Sequence, residues 1–227
     1  MRNYDYVIFD FDGTVIDTGE GILRSLQYAF EVQGHAVPDL SDLKKFIGPP
    51  IYYSFTTFYG VSEEKVGDYI KSYRKRYREK GIYEACLYDG MVETLKALRQ
   101  DGVKLGIASS KPQKLIYDVM EHFHLTALFD AVVGTQFDDS NHAGKADLVR
   151  KSMALLGAAN TARVLMVGDR CFDIDGAAGA GVDSCGVLFG YGSKEEFEAH
   201  RATHIAATAK DILDIVGVSV YNSKIEI

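Results

Sequence analysis

Apolar residues recur along this chain with two periods, and the change of period divides it. Tyr6-Val-Ile-Phe-Asp-Phe11 is a short apolar run rich in β-forming residues and ended by Gly13. That is the pattern of a strand buried on both faces of a parallel sheet. The next run of this kind lies at 103–108. Between them, residues 18–85 read as helical. Ile22, Leu23, Leu26, Ala29 and Phe30 share one helical face, and Ser41 is placed to cap a short helix ending near Gly48-Pro49-Pro50. A further short helix is expected at 51–59. Ser62-Glu63-Glu64 opens a longer one, with Val66, Tyr69, Ile70, Tyr73 and Tyr77 on one face and Gly81 at its C-terminal end. After residue 88 the pattern alternates. Helices are expected at 91–99, 112–123, 145–156, 174–180, 194–200 and 210–216, and strands at 103–108, 131–134, 164–167, 183–188 and 203–206. Regular alternation implies a parallel sheet covered by helices on both faces, with the helical block inserted after the first strand. There is no internal repeat, and the tail at 217–227 is mildly β-like with no element assigned.

Composition narrows the class. The 227 residues are 47% hydrophobic and 25% charged, ordinary for a globular protein. A chain of this mass buries about 70% of its unfolded surface, so no staples are needed. Lys plus Arg is 25 against 32 for Asp plus Glu, a formal charge of -7. Such a chain is a poor general binder of nucleic acid or anionic membranes. Cys86, Cys171 and Cys185 make no disulfide framework and read as reduced thiols of a cytoplasmic protein. Residues 1–5 are polar and run straight into a strand, so no signal peptide is expected, and no apolar run approaches the roughly 18 residues that span a bilayer.

Ligands of an open parallel sheet bind beyond the carboxyl ends of its strands. The first strand is followed by Asp10, Asp12, Gly13, Thr14 and Asp17, and the second by Ser109, Ser110 and Lys111. The strand ending at Val167 is followed by Gly168, Asp169, Arg170 and Asp173. Asp10 and Asp12 are two apart and leave on the same side, with Phe9 and Phe11 opposite. Asp17 and Asp173 each precede a helix and could be caps; that does not account for Asp10 inside an apolar run. Clustered carboxylates near a buried position suit a hard cation, and room for water suits Mg²⁺. Lys145 opens a helix, where the macrodipole opposes a cation. Beside the carboxylates it would neutralise a phosphoryl group.

Asp10-Phe-Asp-Gly-Thr-Val-Ile-Asp17 resembles the first motif of the haloacid dehalogenase superfamily of phosphotransferases. Ile107-Ala-Ser-Ser-Lys-Pro112 is similar to its second motif, Lys145 to its third, and Val167-Gly-Asp-Arg-Cys-Phe-Asp-Ile174 to its fourth. The four occur in order along essentially the whole chain. Ser-Ser-Lys-Pro112 and Gly-Val-Leu-Phe-Gly-Tyr-Gly192 are most similar to the phosphoglycolate phosphatase branch, some relatives of which are nucleotidases. Ser109 stands where that branch more often has threonine, and keeps the hydroxyl.

The resemblance implies an α/β fold: a Rossmann-like parallel-sheet core at 1–17 and 86–227 with an inserted α-helical cap at 18–85. It implies hydrolysis of a small phosphorylated metabolite, with Asp10 as the nucleophile that becomes an aspartyl phosphate. Asp12 would protonate the leaving oxygen and then take a proton from water. Mg²⁺ would be held by Asp10, the Asp12 carbonyl and Asp169, with Asp173 behind them. Ser109, Ser110, Lys145 and Thr14 would contact phosphoryl oxygens, and Thr14 and Asp17 would brace the loop. The cap would close over the site and exclude water. A monomer or homodimer is expected, with no nucleic-acid or membrane partner.

Other features fit less directly. Eight of the fourteen tyrosines lie between Tyr28 and Tyr83 and are expected to pack the helices with hydroxyls outward, a few near 48–50 and Tyr52-Tyr53 facing substrate. Lys44 and Lys45 are candidates for a second anionic group on the substrate. Arg170 would contact substrate or pair with a loop acid, and Cys171 would be inert. A mutase of the β-phosphoglucomutase type shares the two aspartates, and a phosphonate-cleaving relative would need Lys44 or Lys45 as a Schiff base. Lys71-Ser-Tyr-Arg-Lys-Arg-Tyr-Arg-Glu-Lys80 has six basic residues, one acid and two tyrosines, and could bind nucleic acid or a protein.

Overall fold

The computed structural model describes residues 2–47, 51–136 and 144–218, so Gly48-Pro49-Pro50 and the tail beyond 218 lie outside the described residues. Strand β1 (Tyr6–Phe9) leads through a tight loop to a two-residue strand, β2 (Ile16–Asp17). The helical segment follows: α1 (Gly19–Val32), α2 (Leu40–Leu43), α3 (Ile51–Tyr53), which runs into a wider π-type turn at Ser54–Phe58, and α4 (Glu63–Glu79). The chain returns through β3 (Cys86–Leu87) and then alternates. In order come α5 (Met91–Gln100), β4 (Lys104–Pro112), α6 (Gln113–His122), β5 (Ala131–Thr135), α7 (Lys145–Leu156) and β6 (Val164–Gly168). The last are α8 (Cys171–Ala180), β7 (Asp183–Val187), α9 (Lys194–Ala199), β8 (His204–Ala206) and α10 (Asp211–Val216).

Six strands form one sheet in the order β5-β4-β1-β6-β7-β8, and every pairing is parallel. The central strands are apolar on both faces because both faces are covered. Val7 and Phe9 of β1, Leu105 and Ile107 of β4, and Leu165 and Val167 of β6 join the larger core with α5, α6 and α10. The alternate residues Ile8, Ala108, Val164 and Met166 pack with Leu148, Val149 and Met153 of α7 and Ala177 of α8. Burying each such side chain is worth about 1.5–3 kcal/mol against leaving it exposed. From β1 the sheet grows to β4 and β5 on one side and then to β6, β7 and β8 on the other. The order reverses at β1, so the crevice beyond its carboxyl end is where such a sheet binds ligands.

Three expectations change. The ribbon of β2 and β3, with Ile16 opposite Leu87 and Asp17 opposite Cys86, clasps the chain where the helical segment leaves and returns. Two-residue strands carry no readable period, so the sequence pattern missed it. Ser41 lies inside α2, whose N-cap is Asp39. Gly81 follows the α4 C-cap, Lys80, at the C-terminal end as expected, and lies close against α1: a Cβ there would stand 2.8 Å from Ser25 Oγ and 3.0 Å from the Gly21 carbonyl oxygen. The helical segment itself is held by rings. Phe30 meets Phe55, Tyr59 and Tyr69 at centroid distances of 5.7, 4.9 and 5.4 Å, arrangements worth about 0.5–1.5 kcal/mol each beyond area burial. Tyrosines 69 and 77 turn inward, against expectation: Tyr69 bonds His35, and the Tyr77 hydroxyl reaches Lys111. Of the basic run in α4, Arg76 is committed to Glu84 in a two-pronged pair at 2.8 and 2.9 Å, and Tyr73 stacks on Tyr77. The tyrosines therefore do not line an external basic face. No helix among the described residues is long and apolar enough to cross a membrane.

Candidate active site

The loop after β1 wraps one carbonyl. Phe11 O accepts from the N–H groups of Val15 at 3.0 Å and Ile16 at 3.2 Å, and Asp10 N–H still belongs to the sheet, donating to Val167 O at 2.8 Å. Asp10 is thereby fixed at the end of the central strand. Gly13 turns the chain with φ +82°, and a Cβ there would stand 2.3 Å from Asp169 Oδ2. Only glycine meets both conditions.

Carboxylates converge at this mouth. Ligand oxygens of Asp10, Asp169 and Asp173 all lie within 4.8 Å of one another. Lys145, with its side chain 8% exposed, reaches from the start of α7 to Asp10 Oδ1 at 2.9 Å and Asp173 Oδ1 at 2.6 Å. Those two oxygens face the ammonium as ion pairs and accept no well-directed hydrogen bond among the described residues. Burial alone would lower the Lys145 pKa, but Asp10 and Asp173 more than reverse it, so the cation is secure. Asp169, 1% exposed, is served differently. It accepts from Tyr191 N–H at 3.0 Å and Thr14 Oγ at 3.2 Å and has no ion pair among the described residues. Burial, then Asp173 and Asp10, push its carboxyl well above the usual range. A buried carboxyl raised by two carboxylate neighbours, with only neutral donors of its own, is a fit for a divalent cation with oxygen ligands.

Asp173 makes this testable without turnover. Burial, opposed by Lys145 and reinforced by Asp10, moves its pKa from 3.8 to about 6. Between those values the folded chain holds more protons here than the unfolded chain, so stability falls as pH rises through the window. In chelator, the unfolding temperature of wild type is expected to drop from pH 5 to pH 7 relative to Asp173→Asn, and millimolar Mg²⁺ should raise it more at the higher pH. Parallel pH profiles for the two proteins would contradict the carboxylate cluster.

Asp12 faces a second cation. Lys111 Nζ donates to its two carboxylate oxygens at 2.8 and 3.1 Å, and Thr18 Oγ donates to Oδ1 at 2.8 Å. Lys111 also meets the Tyr77 hydroxyl at 2.6 Å, which burial, then Asp12, keeps far above its ordinary pKa. Sequence reasoning noted Lys111 in its motif without giving it a role. The available signal was a lysine two residues beyond a run of buried positions, 105–109, where period two turns it back inward.

The other expected residues lie at different distances from this cluster. Ser109 is buried at the β4 end and accepts from Lys111 N–H at 3.3 Å. Ser110 between them is exposed, and its carbonyl holds Thr135, so it stands apart from the cluster. Thr14, expected at phosphate, is wholly buried with its hydroxyl on Asp169, which makes it a brace. Asp17 accepts from Gly19 N–H at 2.9 Å and from the Tyr191 hydroxyl, bracing the ribbon. Asp173 lies inside the first turn of α8 and accepts the Arg170 N–H at 3.0 Å. Arg170 pairs with Glu196 at 3.1 Å and donates to Ile47 O at 2.8 Å. Burial, then Glu196, push the Cys171 thiol up to about 11, so it stays protonated. Lys44 and Lys45 are exposed, and the Lys45 ammonium sits 4.7 Å from the Tyr59 ring centre.

Known proteins share this architecture. A family model described as haloacid dehalogenase-like hydrolase matches residues 7–187. The chain is 39% identical to a Pseudomonas aeruginosa protein named 5'-nucleotidase, over 90% of this chain and 91% of that one. It is 33% identical to tyrosine-protein kinase PtkA of Mycobacterium tuberculosis, over 93% of this chain and 72% of that one. It is 31% identical to pyrophosphatase PpaX of Halalkalibacterium halodurans, over 93% and 96%. A crystal structure described as a candidate phosphoglycolate phosphatase from Lactobacillus delbrueckii subsp. bulgaricus superposes with a TM-score of 0.86 at 25% identity, covering 96% of this chain and 100% of that one. A match that begins in β1 and ends with β7 takes in both aspartate pairs and both buried lysines, and the chain belongs to the haloacid dehalogenase-like hydrolases as one of their phosphatases.

Proposed function

We propose that the chain is a Mg²⁺-dependent hydrolase of a small phosphorylated metabolite, akin to the phosphoglycolate phosphatases, with a nucleoside 5'-monophosphate as the alternative substrate. The observation that carries the mechanism is the split between the two strand-end aspartates. Asp10 faces Lys145 and the buried carboxylates, while Asp12 faces Thr18 and Lys111. One aspartate thus sits among the groups that would meet the phosphoryl and the metal, and the other stands apart from them with donors of its own.

Asp10 attacks phosphorus and forms a P–O bond as the bond to the leaving oxygen breaks, with Asp12 giving that oxygen its proton. Asp12 then takes a proton from water, which attacks the aspartyl phosphate, releases orthophosphate and restores Asp10. Lys145 offsets charge on Asp10 and the transferring oxygens, and Ser109 adds a hydroxyl donor. Asp10 and Asp169, with Asp173 beside them, would hold Mg²⁺, which supplies charge stabilisation to the phosphoryl group. The helical segment is the cap in this reading. Tyr77 to Lys111 and Ile47 to Arg170 are the bonds by which it lies over the strand ends.

The test is phosphate release from phosphoglycolate, nucleoside 5'-monophosphates, pyrophosphate and sugar phosphates, with and without chelator. Chelation is expected to stop turnover and Mg²⁺ to restore it. One compound should stand out by about a hundredfold in kcat/KM, roughly 3 kcal/mol of transition-state discrimination. Turnover indifferent to chelator would remove the metal from the reading, and transfer to a sugar in preference to water would make the enzyme a mutase.

A further inference from the structure

Lys111 has no part in the steps above, yet it is among the most enclosed charges in the molecule. Its side chain is 5% exposed, and its ammonium is within hydrogen-bond distance of both oxygens of Asp12. We propose that Lys111 is a substrate ligand selecting phosphoryl compounds whose leaving group carries an anionic oxygen close to the scissile bond, a carboxylate or a second phosphate. The proposal rests on the reading of Asp12 as proton donor to the leaving oxygen.

Position gives the first argument. A proton donor must touch the leaving oxygen, so a cation bonded to that donor stands beside the leaving group. Lys145 is on the other side, between Asp10 and Asp173, where it serves the transferring phosphoryl. The second argument is redundancy. Thr18 already orients Asp12 with a neutral donor at 2.8 Å. A buried ion pair adds little net stability, because desolvation cancels most of the attraction. Neither orientation nor stability therefore requires an ammonium here. The third is valence. Its three protons meet Asp12 Oδ1, Asp12 Oδ2 and the Tyr77 hydroxyl at 2.8, 3.1 and 2.6 Å, and a substrate anion would exchange for the longer of the two Asp12 contacts. The fourth is electrostatic. An anionic leaving group must approach a mouth lined by Asp10, Asp12 and Asp169, and a cation on its own side offsets the repulsion nearest to it. A nucleoside or simple alcohol needs no such group. Tyr77 belongs to α4, so one of the groups that hold the ammonium comes from the helical segment.

Wild-type protein decides the question with a matched pair. Phosphoglycolate and ethyl phosphate differ by a carboxylate in place of a methyl. Phosphoglycolate or pyrophosphate should exceed ethyl phosphate by about a hundredfold or more in kcat/KM. Lys111→Met should erase most of that ratio, while adenosine 5'-monophosphate and ethyl phosphate lose far less. Thr18→Ala, a positioning control, should lower all substrates alike. Equal rates for the matched pair in wild type overturn the proposal, as does an equal loss across all substrates in Lys111→Met. Which of the two anionic compounds responds separates a carboxylate reader from a phosphate reader. Failure of the underlying reading looks different: Asp12→Asn would then hydrolyse ethyl phosphate as fast as wild type.

Discussion

Asp10→Asn is expected to lower kcat by about four to six orders of magnitude while the chain stays folded. The substitution keeps the side-chain shape and removes the anionic oxygen that would attack phosphorus. It also removes one of three carboxylates whose oxygens lie within 4.8 Å of each other. Lys145 keeps Asp173 at 2.6 Å, so the ammonium is not left unpaired. The unfolding temperature in chelator should therefore hold or rise, since like charges crowded in a buried site oppose folding. Acid-quenched reaction with labelled substrate should leave label on wild type and none on the variant. A folded Asp10→Asn protein that still turns over would refute the nucleophile assignment.

The reach of sequence reasoning differs from element to element for physical reasons. β1 was legible because a central parallel strand is apolar on both faces, and an aspartate at its end breaks the run. Helix α7 begins at Lys145 as expected, because Gly144 precedes it in an extended conformation and Gly157 ends it with a positive φ. The carboxylates were legible for the same reason the fold was: sheet topology puts strand ends side by side. What was not legible depends on contacts across distant segments. Asp173 read as an outer residue before a helix, but the helix starts two residues earlier, at Cys171, and turns Asp173 inward onto Lys145. Lys111 and Tyr77 are far apart in sequence, and no period along the chain announces that one hydroxyl of a packed tyrosine will meet one ammonium. Thr14 is expected both to brace the loop and to contact phosphate; that its hydroxyl is buried against Asp169 is a property of the folded loop that no period announces.

Lys145→Met should separate two roles that one side chain combines. The ammonium lies between Asp10 and Asp173, and both pairs are largely shielded from water. Breaking a buried pair by removing one partner costs about 3–5 kcal/mol, because the charge left behind is uncompensated. For a chain of this size that corresponds to roughly 10 °C or more in unfolding temperature. The buried carboxylates can recover part of it by taking up protons, so the deficit should shrink as pH falls, and Mg²⁺ should also reduce it. Activity should not follow stability. Charge on the transferring oxygens would remain unopposed on that side, and kcat should fall by about two to three orders of magnitude or more even at saturating Mg²⁺. Adding Asp173→Asn removes one of the orphaned charges. The double variant should regain stability relative to Lys145→Met, by the coupling energy of the pair, and stay inactive. If the double variant is no more stable than Lys145→Met alone, the two groups are not coupled and the ion pair does not hold this end of the sheet together. If Lys145→Met is unstable but turns over normally, the lysine is a structural counter-charge alone, and the phosphoryl group must be stabilised by other donors at the strand ends.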